Sequence, residues 1–297
     1  MIFLLLSILL SAYISVVFVV FNKFKINLFQ AIVVNYGICV LTGSFAMGEF
    51  PITLQTLAQP IFSWAMVMGF LFISVFNVIA ISSVKVGVTI TQTANKLSLV
   101  IPVAFSFFMY NEEITWVKML GILLALLAVV FVSRKGTKKE SQVEQRKFSW
   151  HVFLPIILFI GSGIIDTLTK FVQVNYLKDA ASSNTYLIAG FLVAFLIGFV
   201  VLMFRIITNR TQWQMKSLIA GIVLGVPNYF SIYFLIKALQ SPLLSSSAMI
   251  PINNIGILFT VGLVGIFLFK EKLSRSNYIG LMLTIISIIL IYVGDKK

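Results

Sequence analysis

Thr89, Gln92, Thr93 and Lys96 recur at spacings of three and four, so on a helix they share one face. They lie in TITQTANKLSLVIP, residues 89–102, inside an otherwise apolar run. A helix over 87–109 places Lys96 near its middle, where snorkelling to a headgroup layer explains it poorly. A charge at such a depth costs at least ~2.5–3.5 kcal/mol on insertion scales and usually faces the protein interior or a wet cavity. The chemistry on offer is electrostatic. An ammonium can hold an anionic group, and Gln92 and Asn95 add amide donors and acceptors. The bland alternative is a structural ion pair.

Asp166 is the opposite charge. Ser162, Asp166, Lys170 and Gln173 follow at spacings of four, four and three, again one helical face. Asp166 could pair with Lys170, or Lys170 could snorkel and leave Asp166 for Lys96, an amine or a proton. Helix 1 carries an uncharged stripe, Ser7, Ser11 and Ser15. PLLSSSAMIPINNIGILF places Ser246 and Asn253 seven apart, as it does Ser247 and Asn254. Pro251 removes a backbone donor there, which a cavity tolerates better than lipid. Asn228 follows Pro227, with Tyr229 and Tyr233 on one face. One interhelical hydrogen bond, typically ~0.6 kcal/mol, explains any single amide or hydroxyl. Several polar faces together exceed what packing needs. The candidate site is therefore Lys96, Asn95, Gln92, Asp166, Asn228, Tyr233, Asn253 and Asn254, with Asp166 also a candidate proton-coupling group.

These residues need a membrane scaffold. Of the 297 residues, 60% are apolar and 10% charged, against about 25% charged in soluble domains. Mean hydropathy is +1.05. The length holds roughly ten spans of about 20 residues. The apolar runs are 2–21, 28–47, 63–83, 87–109, 114–133, 152–173, 184–205, 216–239, 243–268 and 274–293. The opening run lacks a positive n-region and a cleavage site, so it reads as the first span and not as a signal peptide. Residues 134–150 read as a basic hydrophilic linker between two five-helix halves, 1–133 and 151–297. One cysteine, Cys39, and one histidine, His151, leave no disulfide framework, zinc cluster or catalytic constellation. The net charge of +13 sits mostly between the apolar runs. That distribution argues against nucleic acid.

The halves repeat. An offset of 159 lays Glu112 on Glu271, Thr115 on Ser274, Gly121 on Gly280 and Asn95 on Asn254. Five helices per half is odd, so the second half enters from the opposite side. The expected fold is an all-α polytopic membrane protein of ten transmembrane helices in two inverted five-helix repeats.

The turns NEEIT…G and KEKLS…G, with KALQSPLLSSSAMIP at 237–251, resemble the drug/metabolite transporter superfamily in its ten-helix EamA-like form. Asn111-Glu112-Glu113 departs from the glycine or basic residue usual there. The resemblance implies a secondary transporter in a bacterial inner membrane, favours export and places both termini in the cytoplasm. The positive-inside count disagrees on the termini. Lys23, Lys25, Lys85, Arg210 and the linker lie in loops after odd-numbered helices, which puts the termini outside.

The expected function is alternating access at a central cavity for a small polar metabolite such as an amino acid. That substrate would carry a carboxylate for Lys96. No cofactor is implied, and monomer and homodimer stay open. A flippase for an amphipathic lipid carrier and a non-transporting assembly subunit are the rivals.

Overall fold

The structure is a computed structural model and describes residues 1–86, 88–110, 115–133, 153–267 and 274–295. The linker at 134–150, Glu112, Glu113, Glu271 and His151 fall outside the described residues. The regular structure is helical throughout: α1 (Ile2–Lys23), α2 (Leu28–Met47), α3 (Leu54–Leu57), α4 (Pro60–Lys85), α5 (Val88–Leu97), α6 (Val100–Tyr110), α7 (Trp116–Ser133), α8 (Leu154–Tyr176), α9 (Ala180–Ile207), α10 (Met215–Leu239), α11 (Ser246–Phe267) and α12 (Arg275–Asp295).

Among the described residues, seven helices are long and apolar enough to cross a membrane, namely α2, α4 and α8 to α12. Three shorter apolar stretches, Ile2–Phe18, Ala94–Met109 and Trp116–Val132, accompany them. Phe45, Phe108 and Trp116 are 91%, 85% and 87% exposed. Large side chains so uncovered suit a hydrocarbon solvent and not water.

The helix ends follow local chemistry. Asn27 caps α2 by accepting from the Gln30 amide at 3.3 Å. Gly48, in the left-handed region at φ 77°, closes the same helix with its N–H on the Phe45 carbonyl, a conformation that favours glycine. Asp179 opens α9 through a capping box with Ser182.

The expected continuous helix over 87–109 is broken, and the break falls just after Lys96. Pro102 has no N–H for the Ser98 carbonyl, which an unbroken helix requires. Instead the Ile101 amide takes that carbonyl at 2.9 Å. The Ser98 hydroxyl donates back to the Asn95 carbonyl at 2.6 Å.

The chain divides into two compact units, each drawing on both halves of the sequence. One comprises Met1–Asn77 and Leu168–Gln240, the other Val78–Thr167 and Ser241–Lys297. In the first, α10 packs on α2 through Gly221 and Gly225. A Cβ on Gly225 would lie 2.9 Å from the Asn35 carbonyl and 2.5 Å from Ile38. In the same unit Gly69 of α4 would meet the Gly190 carbonyl of α9 at 2.5 Å and Val193 at 2.7 Å. Glycine is required at such contacts because any side chain would part the helices.

In the second unit α7 and α12 run antiparallel. A Cβ on Gly121 would lie 2.9 Å from the Ile291 amide and 3.1 Å from Leu290. A Cβ on Gly280 would lie 2.5 Å from the Val132 amide and 2.9 Å from Phe131. Thr115, before α7, donates to the Gly294 carbonyl near the end of α12 at 2.8 Å. Near the start of α12, Asn277 donates to the Val132 carbonyl of α7 at 2.6 Å.

Candidate functional site

Within the second unit, three helices bring together three of the residues singled out above. Lys96 lies in the last turn of α5, where a cation is favoured by the helix dipole. Its Nζ donates to Asn254 Oδ1 of α11 at 3.3 Å. The same amide turns its Nδ2 to Asp166 Oδ2 of α8 at 3.1 Å. Its orientation obeys simple electrostatics, with the carbonyl facing the ammonium and the NH₂ facing the carboxylate. Among the described residues Lys96 and Asp166 form no direct ion pair. All three side chains are half-buried, so the line keeps some open surface.

The backbone explains the placement. The α5–α6 break ends one helix at Leu97, one residue beyond Lys96. Gly163, three residues before Asp166, leaves no room for a Cβ against Ile101 of α6, so α8 can approach just beyond the break.

Ser162 lies one turn before Asp166 on the same face of α8. Asn253 adjoins Asn254. Ser162 Oγ and Asn253 Oδ1 are buried, and neither has a hydrogen-bond partner among the described residues. A buried polar atom left unpaired costs about 1–3 kcal/mol, so both atoms favour an occupant that could pair with them.

The remaining singled-out residues are placed differently. Asn95 is half-buried, and its carbonyl closes the α5 end through Ser98. The Gln92 side chain lies outside the described residues. Asn228 and Tyr233 belong to the first unit. There Asn228 donates to Asn35 Oδ1 at 3.2 Å. Tyr233 stacks on Tyr229 with centroids 6.0 Å apart, and Lys237 lies 5.8 Å from its ring centroid. These contacts suit packing and a helix end. Ser7 likewise donates to the Ser231 carbonyl at 2.9 Å. Lys170 donates to Gln173 at 2.8 Å.

A second charged set, not foreseen from the sequence, also lies in the second unit. Lys118 of α7 meets Asp295 of α12 at 2.7 Å, with side chains 2% and 6% exposed. Lys118 also donates to Ser245 Oγ at 2.8 Å. Asp295 Oδ2 accepts the Ser245 amide at 2.7 Å, and the Ser245 hydroxyl donates to Asp295 Oδ1. The carboxylate thus caps the start of α11, where negative charge is favoured. Lys118 and Asp295 stand near helix ends and 177 residues apart. The usable sequence signal was the 159-residue offset, which lays Lys118 on Asn277, also buried.

The apolar helices, together with a relative named as an uptake protein, define the class: this is a multi-pass membrane protein. More particularly, the chain belongs to the family of an uncharacterized protein of Haemophilus influenzae. The two are 30% identical over 297 residues, covering 98% of this chain and 97% of that protein. It is also 25% identical over 273 residues to the glucose uptake protein GlcU of Staphylococcus xylosus, covering 91% of this chain and 86% of GlcU. A crystal structure superposes with a TM-score of 0.75 at 14% identity, covering 99% of this chain and 96% of the other; the likeness is one of fold. No family model matches the chain.

Proposed function

We propose that the protein is a secondary transporter for a small polar solute, working by alternating access. The observation that carries this reading is the Lys96–Asn254–Asp166 line. It sits at a helix break and is bridged by an exchangeable amide instead of being closed as an ion pair. Broken helices with polar groups at the break are a recurring way to build a site within membrane depth.

The ten-helix, inverted-repeat plan of the EamA-like superfamily belongs to this proposal. Seven long and three shorter apolar stretches fit that number. Gly121 against Ile291 and Leu290, and Gly280 against Val132 and Phe131, are one contact made twice at the 159-residue offset. Gly225 on Asn35 and Ile38 corresponds to Gly69 on Gly190 and Val193 at a slightly shorter offset of about 155 residues. GlcU is a glucose uptake protein, which favours uptake over the export implied by the sequence resemblance and makes hexoses the first solutes to try. Asp166 is the coupling residue in this reading, carrying a proton in exchange for its bond to Asn254.

The test is solute counterflow in proteoliposomes. Wild type should accumulate a labelled hexose, amino acid or organic acid above protein-free liposomes. Lys96→Met should lower that rate at least tenfold. A wild type that moves none of these classes would sink the proposal.

A further inference from the structure

The substrate class follows from how the gap between the charges is filled. The two hydrogen bonds of Asn254, 3.3 and 3.1 Å long, with an amide width of ~2.3 Å, separate ammonium and carboxylate by at most ~9 Å. The α-ammonium and α-carboxylate of an amino acid lie about 3 Å apart across one carbon. Flanked by two charge-assisted hydrogen bonds of ~2.8 Å, such a molecule spans the same distance. It also presents the right sign at each end.

The surroundings are polarised in the same sense. On the Asp166 side, Ser162 Oγ, one turn earlier on the same face of α8, is buried without a partner among the described residues, so a cationic group there has an acceptor to spare. On the other side, the Lys96 ammonium makes one hydrogen bond among the described residues, to Asn254, and has three donors. A neutral diol could imitate the amide's hydrogen bonds but, like the amide, would bring no charge of its own to either group, whereas a zwitterion makes both contacts between opposite charges, which are roughly twice as strong.

We infer that the solute is an α-amino acid zwitterion, its carboxylate on Lys96 and its ammonium on Asp166, and that Asn254 is the placeholder it displaces. This rests on the transporter reading above.

The test is thermal unfolding of the purified full chain in detergent. The added probes are α-amino acids with varied side chains, their amine and carboxylic acid analogues lacking one charge, and glucose. A bound ligand raises the melting temperature by mass action. At least one amino acid should raise it at millimolar concentration. Its two single-charge analogues should bind at least tenfold more weakly. Lys96→Arg should retain part of the shift, and Lys96→Met and Asp166→Asn should lose it. The analogue comparison uses wild type only, so it stands even if a variant fails to fold. A shift with glucose and none with amino acids would overturn the zwitterion and leave the transporter standing. Equal shifts from an amino acid and its uncharged-end analogue would also overturn it. No shift with any probe, together with no counterflow of any solute, would remove both readings.

Discussion

Lys118 and Asp295 touch at 2.7 Å, whereas Lys96 and Asp166 are joined only through the amide of Asn254. Both sets lie in the same compact unit, and both bury charge among apolar helices. The first set is nearly sealed, and every oxygen of its carboxylate accepts a hydrogen bond. The second is half-buried, and Ser162 Oγ, one turn before Asp166, has no partner among the described residues. A closed pair fixes helix ends to one another and leaves nothing to bind. An open, bridged pair leaves room for exchange. In the proposed transporter, the difference separates what holds the unit together from what receives the solute, although both are lysine and aspartate.

The sharpest test of that division is removal of Lys118. Lys118→Met should strand the Asp295 carboxylate and cost about 3–5 kcal/mol, the range for breaking one side of a buried pair. Adding Asp295→Asn should recover more than half, because the amide oxygen still accepts from Ser245 and no charge is left uncompensated. Equilibrium unfolding in detergent measures both. Little loss in the single variant would mean that the pair does not hold α7, α11 and α12 together.

At the open set the balance should invert. Lys96→Met removes a half-buried charge with one hydrogen bond to a neutral amide, so the stability change should stay within ~1 kcal/mol, as for weakly coupled, partly exposed charges. Counterflow should nevertheless fall at least tenfold. Residues that bind ligands commonly contribute little to stability. If Lys96→Met and Lys118→Met destabilised equally, the distinction between the sets would collapse.

The scaffold holding both sets offers a narrower comparison. Gly121→Ala and Gly280→Ala insert a methyl group at two offset-related contacts, each against the backbone of the facing helix. Overpacking of this kind costs typically 1–3 kcal/mol. Gly280→Ala should be the costlier, since its Cβ would meet the Val132 amide at 2.5 Å against 2.9 Å for Gly121 and Ile291. The melting temperatures of the two variants give the ordering.

The expected span 28–47 coincides with α2, and most other spans end within a few residues of the helices, because apolar length and loop charge locate membrane helices directly. The line from Lys96 to Asp166 was legible for the same reason: two mid-helix charges of opposite sign need partners. The break between Leu97 and Val100 is not legible in the sequence, although Pro102 lies a few residues beyond it. A proline in that position is compatible with a kinked helix or a broken one, and the choice depends on whether Ser98 can bond back to Asn95. Lys118 and Asp295 stayed hidden because charges near helix ends look like ordinary interfacial ones. Asn228 and Tyr233 drew notice as polar groups in an apolar helix, and the structure places both in contacts of the first unit. Amide type alone cannot distinguish a packing hydrogen bond from a binding one.

A third carboxylate, Asp179, marks the small end of the scale. It is exposed ahead of α9 and accepts from the Ser182 amide at 2.7 Å. That backbone bond first, then the Ser182 side chain, holds its carboxyl below the ordinary carboxylate range. The folded state thus prefers the ionised form more than the unfolded chain does. Its contribution is fully present above the unfolded value of ~3.9 and is lost as pH falls through the lower folded value. Asp179→Asn retains a capping oxygen but lacks the ionised form's contribution, so it should flatten that acid-side slope and lower stability slightly at pH 7. Melting curves for wild type and variant between pH 7 and the acid limit test this. A slope unchanged by the substitution would show that the acid response belongs to the buried carboxylates, and that Asp179 caps the helix without coupling its stability to pH.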